Sequence, residues 1–313
     1  MSYPLVSIII PTHNRRDMVI RLLQSIIAST YKSIEVIVVD DASVDGTAVA
    51  IKKAFFHNNA ICVERNKINL FAAGSRNVGT KKSKGKYIFY IDDDNVLEKN
   101  AISRLVNAFE ANEKIGELGL VNYSFIDRKK ILWLFTKRNM LTSKTYLPDS
   151  LEEFSNQEVW DTVDVPNAFM VRADVIKQHK ISFCNFFGIM YEESDLAYRI
   201  RKAGYTIQVV RDAKIYHDVK DYMPHFMNDE WRLYVFARNR IIFHSLYSSK
   251  LQLVSILLVW IWIFALYYSY KILAYSGAGS FSPAKRIHLV IQYFKGNIDG
   301  LLFVIRNEKL SYS

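Results

Sequence analysis

Along the first hundred residues, short apolar runs alternate with stretches in which apolar residues recur every three or four positions. Val6–Ile10 is a run of the first kind, closed by Pro11, and predicts a buried strand. Asn14, with Asp17 three residues on, marks a helix start, and Met18, Leu22, Leu23, Ile26 and Ile27 make the helical stripe. Glu35–Val39 predicts a second strand, closed by "DDASVDGT" and followed by a helix over Ala48–Phe56. Ala60–Glu64, Ala72–Lys82 and Lys86–Ile91 predict a third strand, a third helix and a fourth strand. Alternation of this kind predicts an α/β fold: a mostly parallel sheet with helices on both faces. Such sheets bind ligands outside the carboxyl ends of their strands. Asp40-Asp41 and Asp92-Asp93-Asp94 both fall at strand ends of that kind.

From Glu117 to His217 the pattern is mixed and reads as an α+β continuation of the same domain, without a Pro/Gly/Ser-rich linker, internal repeat or low-complexity tract. It changes after that. Leu251–Tyr270, "LQLVSILLVWIWIFALYYSY", carries no charge and is bracketed by Lys250 and Lys271. Twenty helical residues span about 30 Å, one bilayer core. Tyr267, Tyr268 and Tyr270 sit where an aromatic belt would lie. The stretch reads as a membrane helix, with a buried core helix as the alternative. Lys285–Arg306 is also apolar-rich, but His288, Lys295 and Asp299 interrupt it, which suits an interfacial amphipathic helix. Two regions are therefore expected: 1–225, and a helical membrane-associated region 226–313 containing the apolar helix 251–270. Basic residues flank both sides of the apolar run, so charge asymmetry does not orient it.

Half of the 313 residues are hydrophobic and 14% are aromatic, which supplies a core and excludes a disordered chain. The formal net charge of +10 points to an anionic partner. Nucleic acid is set aside, because the basic residues are not interleaved with a reader motif. Cys62 and Cys184 have neither metal-ligand spacing nor a disulfide framework, which suits a reducing compartment. The N-terminus lacks a basic n-region and its apolar run is short for a signal peptide. The catalytic region is thus expected on the cytoplasmic side of the cytoplasmic membrane.

Four stretches carry candidate chemistry. Side-by-side carboxylates repel unless something positive sits among them, and Asp92, Asp93 and Asp94 suit a hard divalent cation such as Mg²⁺ or Mn²⁺. The alternative is an acidic turn capping a helix near Glu98. Asp40 and Asp41 can accept hydrogen bonds from a base N–H or ribose hydroxyls, while Ser43 and Asp45 read as turn and cap residues. In "NLFAAGSRNVG", Gly74 and Gly79 permit close backbone approach and Arg76 can pair with a diphosphate, unless it is an ordinary surface arginine. In "YEESDLAYRIRKAGY", Leu196, Ile200 and Ala203 mark a helical face and Gly204 its end. Glu192, Glu193 and Asp195 crowd the start of that helix. The dipole explains one or two of them, which leaves one as a candidate general base.

Taken together, "VSIIIPTHNRRDMVIRLLQSI", "EVIVVDDASVDGT", "AAGSRNVG", "GKYIFYIDDDN" and "EESDLAYRIRKAGY" resemble family 2 glycosyltransferases over residues 4–220. The resemblance implies a GT-A (Rossmann-like) fold and an inverting, metal-dependent transfer of a sugar from a nucleotide-diphospho-sugar. It carries donor-nucleotide contacts onto Pro11, Thr12 and Asn14, and base and ribose contacts onto Asp40 and Asp41. The family's DxD falls on Asp92, Asp93 and Asp94: Asp94 is the metal ligand, Asp92 a nucleotide-side contact or second ligand. The family's base lies in a Glu-Asp pair opening a late helix. The pair here is Glu192-Glu193, which makes Glu193 the base and Asp195 the reserve. His217, in "AKIYHDV", matches a late histidine near the metal or diphosphate, or else is a core histidine. The Gln-x-x-Arg-Trp motif of the processive synthases is missing, with Trp231-Arg232 in reversed order, so single addition is implied. The tail "EWRLYVFARNRIIFHSLYSSK" resembles membrane-associated relatives that extend lipid-linked glycans. Arg232, Arg238 and Arg240 are its candidates for a phospholipid or polyprenyl-phosphate headgroup. The expected acceptor is a lipid-linked or cell-surface glycan. The alternatives are a polyprenyl-phosphate glycosyl synthase and a catalytically degenerate membrane-bound partner.

Overall fold

Four parallel strands carry the N-terminal half: β1 (Val6–Thr12), β2 (Ile34–Asp40), β3 (Ile61–Arg65) and β4 (Tyr87–Ile91), in the order β3-β2-β1-β4. The computed structural model describes the chain apart from residues 1–2, 155–156, 219–228, 275–280, 311 and 313. β1 runs past Pro11 instead of stopping before it. Its pairing with β4 ends at Ile9↔Tyr90, whereas β2 still pairs through Thr12↔Asp40, so Pro11 lies where one side of the strand is already open. α1 (Arg16–Ile27), α2 (Thr47–Ala54) and α3 (Phe71–Lys82) connect these strands. Asn14 does not cap α1; it takes a left-handed conformation and its Oδ1 accepts from Val44 N–H at 2.8 Å.

β5 (Asn95–Leu97) and α4 (Ala101–Ala111) follow, then β6 (Ile115–Ser124), β7 (Ile131–Trp133), β8 (Lys137–Arg138), β9 (Thr145–Tyr146), β10 (Val159–Asp161) and β11 (Ala168–Arg172). α5 (Ala173–Gln178), α6 (Glu192–Lys202) and β12 (Thr206–His217) complete the sheet domain. β11 runs antiparallel between β4 and β6, and β12 lies parallel to β6. The ten-stranded sheet is therefore parallel on its β3–β4 side and mixed beyond it. Alternate residues of β1 serve opposite layers. Ile8 and Ile10 belong to the cluster that holds Leu22 of α1 and Leu105 of α4; Ile9 belongs to the opposite one and lies directly against Gly79 of α3. Burial of each such side chain stabilises the fold by about 1.5–3 kcal/mol.

The C-terminal region is helical: α7 (Glu230–Tyr247), α8 (Lys250–Ser255), a π-helical turn (Ile256–Trp260), α9 (Ile261–Ala274) and α10 (Pro283–Ile305). α10 packs closely on α7 through two glycines. A Cβ on Gly296 would collide with the Tyr234 carbonyl oxygen, and one on Gly300 would lie 3.0 Å from the Arg238 carbonyl oxygen. Lys250–Ala274 is long and apolar enough to cross a membrane, and only 17% of its most apolar stretch is buried. A buried core helix is not what forms, since Leu251, Leu258, Trp262 and Leu266 face outward. The expected boundary at 225/226 lies outside the described residues.

Candidate active site

At the carboxyl ends of β1 and β4 a cavity of about 610 Å³ opens, walled by the start of α3, the residues after β4, the start of α6 and the start of α7. Pro11, Thr12, Asp41, Arg76, Asp92, Asp93, Asp94, Asn167, Glu192, Glu193 and His217 all line it. Residues far apart in sequence thus meet where an α/β sheet places its ligands.

The three aspartates part company there. Asp92 Oδ1 accepts from Arg76 Nη2 at 2.7 Å, on α3. Asp93 turns inward: Oδ2 accepts from Thr12 Oγ1 at 2.7 Å and Oδ1 from Arg15 Nη1 at 2.9 Å. Asp94 Oδ2 takes the same arginine nitrogen at 2.9 Å, and its Oδ1 lies 3.3 Å from His217 Nε2. His217 is placed there by register, because it pairs with Asn95 where β5 meets β12. No helix begins at the triplet; β5 follows it directly and α4 starts only at Ala101, which removes the capping-turn alternative. Burial, reinforced by Asp94, pushes Asp93 up to about 7 despite the Arg15 charge. Burial opposes ionisation of Asp94 as well, but His217 and Arg15 outweigh it and hold Asp94 at about 2. Among the described residues no three His, Cys, Asp or Glu side chains converge as a ready cation site. Asp92 and Asp94 are nevertheless a fitting donor set for an ion that the substrate's phosphates complete, since Mg²⁺ is commonly held by one or two carboxylates. The buried Nδ1 of His217 has no partner within the described structure.

Beside the triplet one arginine gathers three carboxylates. Arg76 is 1% exposed; its Nη2 lies 2.7 Å from both Asp92 Oδ1 and Glu193 Oε1, and its Nη1 lies 3.0 Å from Glu192 Oε1. One cation cannot neutralise three clustered carboxylates, of which Glu192 is buried, Glu193 16% exposed and Asp92 35% exposed, so the cluster favours a bound proton on the more buried pair. Burial accordingly pushes Glu193 up to about 8 against the pull of Arg76, and raises Glu192 too. The surface-arginine alternative is excluded, and a diphosphate would have to share this guanidinium with its carboxylates. Both Glu193 oxygens also lie 3.3 Å from the Asn167 backbone N–H, presented by a left-handed residue. Asn167 is fixed in turn: its Nδ2 donates to Asn95 Oδ1 at 2.9 Å and Asn122 Oδ1 at 2.7 Å.

Three expected site residues face elsewhere. Asp195 does not line the cavity; it is fully buried against Arg199 Nη2 (2.7 Å), Tyr247 Oη (2.6 Å) and Tyr312 Oη (3.2 Å). Two residues on a helix lie about 200° apart around its axis, so Glu193 and Asp195 occupy opposite sides of α6. That placement removes Asp195 as reserve base. Asp40 is also turned away, with Oδ1 accepting from Ser43 N–H at 2.9 Å, and it holds the loop rather than the cavity wall. Asn14 ties β1 to the same loop. Asp41 does reach the cavity, where its Oδ1 accepts from Asn66 Nδ2 at 2.7 Å and Leu70 N–H at 2.8 Å. Arg240 is 2% exposed and donates to Tyr293 Oη at 3.0 Å between α7 and α10, which rules it out as a headgroup contact. Sequence reasoning missed Arg15, Asn95, Asn122 and Asn167.

The strand-end carboxylates fall inside a segment that a family model recognises: Glycosyl transferase family 2 matches residues 7–180, which ends before Glu192 and Glu193. The chain belongs to glycosyltransferase family 2. This family 2 member is 37% identical over 109 residues to the Escherichia coli protein named UDP-Glc:alpha-D-GlcNAc-diphosphoundecaprenol beta-1,3-glucosyltransferase WfaP, covering 35% of this chain and 43% of WfaP. It is 36% identical over 111 residues to a glycosyltransferase of Haemophilus influenzae, covering 36% of each. The matches thus span less than half the length of these relatives. Its fold is that of the mannosyltransferase PcManGT from Pyrobaculum calidifontis, solved with GDP-Man and Mn²⁺. The two share 16% identity at a TM-score of 0.58, over 98% of this chain and 89% of that one. S. aureus TarS residues 1–349 gives 0.56 at 16% identity, over 99% and 94%. Both are GT-A glycosyltransferases, and the α/β reading of the sequence agrees with that fold.

Proposed function

We propose that the protein moves one sugar from a nucleotide-diphospho-sugar to a lipid-linked glycan acceptor, in a single displacement that inverts the anomeric centre. The observation that carries this reading is that Asp94 and Glu193 line one cavity at the strand ends. The donor's nucleotide would lie against Pro11, Thr12 and Asp41. Asp94 and Asp92, with His217, would hold a divalent ion, which when bound supplies positive charge to the departing nucleoside diphosphate. Glu193 removes the proton of the acceptor hydroxyl as that oxygen attacks, and Arg76 keeps its carboxylate beside the sugar. Arg15 holds Asp93 and Asp94 in place.

A lipid-linked acceptor is supported by WfaP, whose name gives a diphosphoundecaprenol-linked sugar as substrate. It is supported too by the outward-facing apolar helix, which would associate with the membrane, the cavity facing the cytoplasm. The missing Gln-x-x-Arg-Trp motif supports single addition. One observation favours a second reading: Glu193 is raised to about 8, and a polyprenyl phosphate acceptor needs no base. Transfer that survives Glu193→Gln would select that synthase.

Donor hydrolysis across a panel of nucleotide sugars with Mg²⁺ or Mn²⁺ tests the enzyme itself. Turnover of one class of donor is expected, falling about 100-fold or more in Asp94→Ala. No turnover with any donor and either metal would overturn the reading and leave the degenerate partner.

A further inference from the structure

The geometry points to the rim formed by Phe71, Trp231 and Arg232 as the acceptor subsite, where an aromatic pair receives a pyranose ring of the acceptor and Arg232 pairs with its phosphate. This rests on the transferase reading above and adds what holds the second substrate.

Phe71 opens α3 and Trp231 lies in the first turn of α7, yet their rings stack at 4.3 Å and 16° on the cavity wall. They are 39% and 37% exposed, a large apolar surface left open to solvent. Phe71 holds a left-handed backbone at φ 59, which for a bulky residue costs about 1–3 kcal/mol and persists only when its surroundings dictate it. Asn69 Oδ1 accepts from its N–H at 2.9 Å, and Asp41 accepts from the preceding N–H of Leu70. Gly188 underlies the pair; a Cβ there would sit 3.6 Å from both rings. Such a platform matches the C–H face of a pyranose, as aromatic rings do in other apolar stacking.

Arg232 supplies the charge. It lines the same cavity and is half-buried, and its guanidinium has no ion pair or hydrogen bond among the described residues. Arg15 and Arg76, the other arginines of this cavity, are both committed to carboxylates. Asp229 Oδ1 accepts from the Arg232 backbone N–H at 3.0 Å and fixes the start of α7 beside the cavity. A guanidinium that is unpaired among the described residues and lies next to a stacking platform suits a glycosyl phosphate or diphosphate, whose anion it can bind bidentately.

Calorimetric binding separates the parts. Three probes are used with the full chain in detergent: a short-chain N-acetylglucosaminyl-diphospho-lipid, the matching alkyl glycoside without phosphate, and a nucleoside diphosphate. Trp231→Ala is expected to weaken the first two probes about tenfold or more, with partial recovery in Trp231→Phe. Arg232→Ala is expected to weaken the diphospho-lipid about 10- to 100-fold and the alkyl glycoside far less. Nucleoside diphosphate binding weakened by the same factor would place the rim in the donor site, and undiminished binding of the diphospho-lipid in both variants would show a structural pair only. Either result overturns the inference. Binding that follows this pattern in a protein that transfers no sugar would count against the transferase reading alone.

Discussion

Arg76 Nη2 and Glu193 Oε1 lie 2.7 Å apart, with the guanidinium 1% exposed and Asp92 Oδ1 at 2.7 Å from the same nitrogen. Removing one partner of such a group is far worse than never having built it, because Glu192 and Glu193, 6% and 16% exposed, lose their counter-charge. Arg76→Ala is therefore expected to destabilise the fold by about 3–5 kcal/mol in denaturant unfolding. Arg76→Lys, which keeps the charge but loses the fork, should lose less stability. A wild-type midpoint in Arg76→Ala would show that the cluster does not hold the site together.

The same cluster sets a pH dependence. Glu193 is raised to about 8, first by burial and then by the neighbouring carboxylates, while a base must be ionised to act. Transfer efficiency, measured as kcat/KM, should therefore rise with pH through about 8 and level off above it. Glu193→Gln should abolish that rise and lower the rate by about 10²–10⁴-fold. A wild-type profile that is flat between pH 6 and 9 would place the base elsewhere.

Stability should run the other way at Glu117. This residue is fully buried in β6, its Oε2 has no partner, and burial with the nearby charge of Asp164 pushes its pKa well above the ordinary value. A carboxyl raised in the folded state contributes stability below its unfolded pKa and loses it as pH rises. Glu117→Gln should flatten that decline, with thermal midpoints above wild type at pH 8 by about 2–4 °C for each kcal/mol recovered. Equal midpoints for the two proteins from pH 5 to 8 would contradict it.

The C-terminal helices offer a packing test. Gly296 meets the backbone of α7 directly, whereas Gly300 leaves 3.0 Å to the nearest carbonyl oxygen. Gly296→Ala should therefore cost more than Gly300→Ala, with about 1–3 kcal/mol for the former as overpacking. Limited proteolysis between α9 and α10 and thermal unfolding in detergent would report the difference.

The early β–α alternation was legible because β1, β2 and β4 are built around apolar runs and α1 keeps a clear apolar stripe, so period separates them. Carboxylates at strand ends followed from the same reading, and Asp92, Asp93 and Asp94 do reach the cavity. Facing direction was not legible. Asp195 and Glu193 look alike in "YEESDLAYR", and only the packing of Tyr247 and Tyr312 against one side of α6 tells them apart. Asn167 gave no signal, because its role lies in a left-handed backbone N–H and in amide partners 45 and 72 residues away. Arg15 is one of two adjacent arginines in the sequence, and the partners that define it are 78 and 79 positions on.

The most direct measurement is sugar transfer from the intact nucleotide sugar that the hydrolysis panel selects to an N-acetylglucosaminyl-diphospho-lipid, with the product's anomeric configuration read by NMR, in wild type and Glu193→Gln. The expected result is one added sugar of inverted configuration in the wild type and its loss in Glu193→Gln. A product of retained configuration, or undiminished transfer by Glu193→Gln, would contradict a single displacement driven by that carboxylate.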